Sequence, residues 1–249
     1  VGNENGLARE TEWSVQPPIP DSHATANSAS EKTRPIDTVF RWYPAECDVS
    51  IRPGWFYHAS QDRQVKSLHD LLEIYYASVG RNSVLLLNVP PDRRGRFHEN
   101  DVARLGELRA ALDATFQTNL AANKPASASS AAAEHSAAMA VDGNGATYWT
   151  PAAGMKQAAL EVDLGRPVAF DRAMLQEMIS TGQRVERFKL EAWEGQTWKE
   201  FAKATTIGYK RLLRFPAVTT SKVRLTILDA RDTPTIREFG LFKASPMEE

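Results

Sequence analysis

The hydrophobic period of this chain changes part-way along it, and one kind of layer cannot satisfy both periods. Between Glu99 and Thr118, Val102, Leu105, Leu108, Leu112 and Phe116 recur at spacings of three and four with charged residues between them, which predicts an amphipathic helix. Later the period is two. Leu160, Val162 and Leu164 alternate with Glu161 and Asp163, Phe188, Leu190 and Ala192 with Lys189 and Glu191, and Val223, Leu225 and Ile227 with Arg224 and Thr226. Each run puts its apolar side chains on one face of a strand. Short strands of this kind joined by Gly- and Pro-containing turns predict a two-sheet antiparallel sandwich, with a partly open barrel as the alternative that period leaves open. Between the two regimes the chain is rich in Ala, Asn, Ser and Lys, and Pro125 interrupts any regular helix. The predicted division is therefore residues 1–120, a linker over 121–138, and residues 139–249.

The first part reads as α/β. Leu71 to Val79 has a helical pattern, Ser83-Val84-Leu85-Leu86-Leu87-Asn88-Val89 is a nearly continuous apolar run closed by Pro90-Pro91, and the Glu99 helix follows. Such a run predicts a strand buried on both faces. An eight-stranded α/β barrel takes about 250 residues, so residues 1–120 are expected to supply only part of one.

Charge excludes some function classes. Lys plus Arg total 30 and Asp plus Glu 31, a formal net charge of −1, so no broad field draws nucleic acid or an anionic membrane. No apolar stretch approaches the ~20 residues of a membrane span. The single cysteine, Cys47, excludes an intramolecular disulfide framework and reads as a small buried side chain.

Polar and aromatic residues gather in two places. Asn3, Glu4, Arg9, Glu12 and Trp13 form one group, and Arg41, Trp42, Glu46, Asp48, Arg52, Trp55, Tyr57 and His58 form another. Sugar sites combine carboxylates and Arg for hydroxyl groups with aromatic faces for the ring, and glycoside cleavage adds a carboxylic acid that protonates the leaving oxygen. Structural ion pairs and core packing use the same residue types.

Four ordered strings carry a resemblance: Gly2-Asn3-Glu4-Asn5-Gly6, Arg9-Glu10-Thr11-Glu12-Trp13-Ser14-Val15, the segment from Pro44 to Tyr57, and the segment from Val79 to Pro91. Over residues 1 to 118 the chain resembles the second half of the catalytic domain of glycoside hydrolase family 29 α-L-fucosidases, most closely the branch preferring α-1,3 and α-1,4 linked fucose. The resemblance implies a TIM-like barrel, here partial, and a retaining two-step mechanism on fucosylated oligosaccharides or glycoconjugates, with no catalytic cofactor. Glu4 corresponds to the general acid/base. The aspartate nucleophile belongs to an earlier strand, and only three residues precede Glu4, so the upstream barrel portion is an expected partner and this chain alone is expected to be inactive. Glu12, Trp13, Glu46, Asp48, Arg52 and Trp55 are the implied substrate-binding candidates, and Asn88 is expected to stabilise a strand end. Such an enzyme is expected in the periplasm or outside the cell.

A second set of strings runs Ala140-Val141-Asp142-Gly143, Tyr148-Trp149, Leu160 to Gly165, Gly182-Gln183-Arg184-Val185, Trp198, Val223-Arg224-Leu225 and Ile236-Arg237-Glu238-Phe239-Gly240. These resemble a discoidin, or F5/8 type C, domain, an all-β jelly-roll sandwich similar to carbohydrate-binding modules. Many such domains hold a structural calcium ion, for which Asp142, Thr147 and Glu238 are the implied ligands and loop capping is the alternative. The competing function for the whole chain is a noncatalytic glycan-binding or adhesin fragment.

Overall fold

The computed structural model describes residues 2–16 and 41–248; Val1 and residues 17–40 of the expected catalytic portion lie outside the described residues. In chain order the elements are β1 (Gly2–Asn3), β2 (Val15–Gln16), β3 (Arg41–Trp42), β4 (Ala45–Ser50), α1 (Leu68–Ala77), β5 (Ser83–Asn88) and α2 (Glu99–Phe116). They continue as β6 (Ala126–Ala128), β7 (Ala158–Glu177), β8 (Val185–Glu194), β9 (Thr197–Ala204), β10 (Arg211–Ala230) and β11 (Ile236–Phe242). The helices and strands fall into an incomplete α/β region followed by an antiparallel sandwich, and no sheet is shared between them.

The α/β region is an open parallel sheet in the order β1, β4, β5, with a short β2–β3 ribbon beside it. Helix α1 starts where it does because Ser67 and Asp70 cap each other. The Ser67 hydroxyl accepts from the Asp70 amide at 3.1 Å while the Asp70 carboxylate accepts from the Ser67 amide at 3.1 Å. Its buried Leu71 and Ile74 pack with Val49 and Ile51, and Leu85, Leu87, Leu105 and Leu108 lean on that cluster. The other face of the sheet is uncovered. Val84 and Leu86 are 53% and 55% exposed, against the expectation that this strand is buried on both sides. The apolar run is there, but among the described residues nothing covers that face.

In the sandwich the long strands β7 and β10 each bend and serve both layers. The first half of β7 pairs with β6 and the second half of β10, and its second half pairs with β11 and the first half of β10. Register shifts between Arg214 and Val218 and between Thr220 and Lys222 mark where β10 turns over. Strands β8 and β9 extend the sheet beyond β10. Leu160, Val162, Phe188, Leu190, Val223, Leu225 and Ile227 all face the buried core, as their alternation predicts, around the fully buried Trp149. The indole N–H of Trp149 donates to the Ser130 carbonyl at 3.0 Å, so burial costs it no hydrogen bond. The segment expected as a linker contributes Ala121 and Ala137 to this core and β6 to the sheet.

Two side-chain amides join the parts. Asn82, held at φ 62°, donates to Ser14 Oγ at 3.0 Å and Gln183 Oε1 at 3.1 Å, and its Oδ1 accepts from the Tyr209 amide at 2.7 Å. Gln183 donates to the Glu12 carbonyl at 2.7 Å and accepts from the Ser14 amide at 2.8 Å. Behind Tyr209, Glu177 is buried and accepts from the amides of Gly208 at 2.7 Å, Arg184 at 2.7 Å and Val185 at 2.9 Å. A second clamp lies at the carboxyl end, where Glu248 accepts from Thr115 at 2.6 Å and Arg172 at 3.0 Å.

Two predictions follow from this seam. Gly208 has φ +69° and a Cβ there would lie 2.2 Å from Asn82 Cγ, whereas Gly143 has the same φ with nothing within 4 Å. Gly143→Ala is expected to cost about 1 kcal/mol and Gly208→Ala clearly more, measured by urea unfolding, because only the second adds a clash to the positive φ. Burial raises the Glu177 carboxyl to about 7 despite its three amide donors. The folded state then binds more protons than the unfolded chain between the ordinary carboxylate range and pH 7. Stability should fall as pH rises through that window, by up to about 1.4 kcal/mol per pH unit, and level off above it. Unfolding free energies from pH 4.5 to 8.5 should lose this segment of the profile in Glu177→Gln.

Candidate functional site

Opposite residues of a parallel pair lie on the same face of the sheet, and this register decides which side chains share the open side. Gly2 lies opposite Glu46, Glu46 opposite Val84, and Asp48 opposite Leu86. The uncovered face therefore carries Glu46 and Asp48 between apolar neighbours, while Cys47, Val49, Leu85 and Leu87 face the helices. Glu4 stands exposed in the turn just past the carboxyl end of β1. Sites in parallel α/β folds form at that end, from the loops that leave the strands. At the same end of β4 and β5, Asn88 donates to Ser50 Oγ at 3.0 Å and to the Trp55 carbonyl at 3.0 Å, tying the loop that presents Trp55 and Phe56 to solvent.

The other expected residues have different surroundings. Asp48 is half-buried, and its Oδ1 is enclosed without a hydrogen-bond partner among the described residues. Glu12 is buried and ion-paired with Arg9 at 2.7 Å, and Trp13 lies under the Arg231 guanidinium, 3.3 Å from its ring centroid. Arg52 is buried between Asp101, at 3.0 Å, and Asp62, at 2.9 Å, with its guanidinium over the Tyr57 ring. Those carboxylates raise its proton affinity against the opposing effect of burial. The register thus brings Glu46 and Asp48 onto one face, Glu4 and Trp55 sit exposed on loops at the carboxyl ends of strands, and Arg52 lies within an ion-pair network. Its partners Asp62 and Asp101 were not singled out in the sequence, where isolated acids on a loop and on a helix give no sign of a shared arginine. Cys47 is buried, 3.1 Å from Ser83 Oγ.

The calcium expectation is overturned. Asp142, Thr147 and Glu238 do come near one another, but Thr147 Oγ1 donates to the Asp142 carboxylate at 2.8 Å, and Glu238 accepts from Asn119 at 3.1 Å. Burial first, and the charge of Asp142 second, push the Glu238 carboxyl up. Among the described residues no group of three or more His, Cys, Asp or Glu is arranged to hold a metal ion. The trio caps loops instead.

Two family descriptions match separate parts of the chain. Residues 20–114 match the family described as Alpha-L-fucosidase, and residues 125–239 match the F5/8 type C domain. Alpha-L-fucosidase 1 of Arabidopsis thaliana is 35% identical over 97% of this chain and 49% of its own length, and an Oryza sativa subsp. japonica protein is 39% identical over 98% and 48%. The chain thus spans about half the length of the curated relatives it matches. A Ruminococcus gnavus GH29 fucosidase solved in complex with fucose superposes with a TM-score of 0.84 at 30% identity, over 100% of this chain and 51% of that one. Among the described residues no helix is long and apolar enough to cross a membrane.

The Arg52 network yields a stability prediction. Asp101→Ala leaves a buried guanidinium short of its main partner and is expected to cost about 3–5 kcal/mol in denaturant unfolding. Asp113→Ala, at an exposed ion pair on the same helix, should change stability by less than about 0.5 kcal/mol.

Proposed function

We propose, for a chain that joins a segment of the alpha-L-fucosidase family to an F5/8 type C domain, that it is the acid/base-bearing half of a retaining exo-α-L-fucosidase. The observation that carries this reading is Glu4, exposed past the carboxyl end of β1 at the edge of an open sheet whose uncovered face carries Glu46 and Asp48. In this reading the preceding half of the barrel covers that face, shielding Val84 and Leu86, and supplies the aspartate nucleophile. Branched glycans carrying α-1,3 or α-1,4 linked fucose, outside the cytoplasm, are the substrate and setting we assign. Residues 1–120 form the catalytic portion.

The chemistry asked of Glu4 has two steps. Its protonated carboxyl donates to the departing glycosidic oxygen as the nucleophile attacks the anomeric carbon; the resulting carboxylate then takes a proton from the water that releases fucose. Glu46, Asp48 and Trp55 are assigned to the substrate-facing wall, with carboxylates accepting from sugar hydroxyls and the exposed indole offering an apolar face. Arg52 supports that wall through the buried Asp101 and the half-buried Asp62, and the Trp13–Arg231 stack and the Glu12–Arg9 pair hold the loop that follows Glu4.

The test requires the barrel completed with its upstream portion. Glu4→Gln should hydrolyse a natural branched fucoside at least 100-fold more slowly, with a smaller loss on an aryl fucoside whose leaving group needs no proton. Azide should partly restore turnover of the aryl substrate, because it attacks the glycosyl-enzyme without a general base. Wild-type rates on both substrates in a folded variant would remove Glu4 from this role.

A further inference from the structure

Between α1 and the sandwich lies a cleft of about 270 Å³ lined by Glu10, Glu73, Arg81, Lys203, Arg211 and Arg214 together with apolar side chains. Four cationic side chains meet two carboxylates, and the pairing is uneven. Arg214 is matched by Glu73 in a bidentate pair, with one bond of 2.6 Å. Arg81 and Arg211 share a single carboxylate, Glu10: Arg81 pairs with one oxygen, and Arg211 donates to the other at 3.0 Å.

The backbone forces these two arginines together. Arg81 and Arg211 are bridge partners across the seam, flanked by the bond from Leu212 to the Gly80 carbonyl at 2.9 Å and from Asn82 to the Lys210 carbonyl at 2.9 Å. Like charges directly opposite each other are destabilising unless an anion stands between them. Arg211 is 4% exposed, and its Nε is buried without a hydrogen-bond partner. Burial, with Arg81 adding to it, lowers the proton affinity of that guanidinium even with Glu10 beside it. A buried N–H without an acceptor is rare in folded proteins, and here it belongs to a cation lining a cleft with positive charge in excess. Lys203, with a side chain 76% exposed, adds a charge at the edge of the cleft, held among the described residues only by a 3.7 Å pair with the exposed Glu200.

We propose that this cleft binds a small oxyanion, a sulfate or phosphate group, free or carried as an ester on a sugar. The group supplies several acceptor oxygens for the guanidinium N–H groups of Arg81 and Arg211 and for Lys203, and balances the charge Glu10 leaves over. The volume of about 270 Å³ is room for a small anionic group. This site is separate from the open sheet face and stands whether or not Glu4 is an acid/base.

Isothermal titration of this chain with sodium sulfate, sodium phosphate and galactose 6-sulfate, at ionic strength balanced with chloride, tests the assignment. Saturable one-site binding is expected, weakened severalfold in Lys203→Ala and at least tenfold in Arg211→Met, with circular dichroism verifying the fold. Lys203→Ala, at an exposed position, decides the matter if Arg211→Met unfolds. Galactose 6-sulfate binding more tightly than sulfate assigns an ester-borne group, and inorganic ions binding alone assign the free anion; both support the site. No saturable heat with any of the three, or affinity unchanged in the folded variants, overturns it.

Discussion

The buried amides of Asn82 and Gln183 hold the two halves of this structure in one arrangement. Each uses both its donor and its acceptor, and between them they reach the loop after β1, the turn before β5 and two sandwich loops. A buried polar group that loses its partner costs about 1–3 kcal/mol, and members of one network lose partners together. The sandwich and the α/β region are therefore coupled by a seam that tolerates few alternative positions. Gly208 belongs to it twice, giving its amide to Glu177 and standing against Asn82 where no side chain fits.

The open sheet sets the opposite constraint. Parallel strands are normally covered on both faces, and one face of β4 and β5 is covered here. The other mixes Val84 and Leu86 with Glu46 and Asp48, a composition suited to an interior that also handles polar ligands. The chain spans about half the length of its curated relatives, and in the proposed function that face is where the preceding half of the barrel would close.

How legible this was depends on the reach of the interaction. Alternation in Leu160–Leu164, Phe188–Ala192 and Val223–Ile227 revealed the core face because each pattern is local to one strand. Strand β6 escaped notice because Ala126-Ser127-Ala128 has no bulky alternation and pairs only by backbone bonds. Period likewise could not separate a strand covered on both faces from β5, one face of which is open among the described residues. The grouping of Asp142, Thr147 and Glu238 was legible while its chemistry was not, since ligand-type residues satisfy one another as readily as an ion. Arg52 with Asp101, and Arg81 with Arg211, depend on contacts between distant segments that no spacing encodes.

These long-range contacts bear on how Glu4 is held. The segment that follows it is fastened to the sandwich almost residue by residue: Glu10 to Arg211, Thr11 to Thr205 at 2.9 Å, the Glu12 amide to Thr206 at 3.1 Å, and Ser14 to Gln183. Glu4 itself sits in an exposed turn just past β1. A loop anchored at one end by a two-residue strand and at the other by another domain owes its position to both. The cleft enters the same balance, because an anion seated against Arg81 and Arg211 would stand beside Glu10 on the same two guanidinium groups. Whatever loosens Glu10 loosens the first fastening after Glu4, so the sandwich works as the far wall against which the edge of the sheet is set, rather than as an appendage to it.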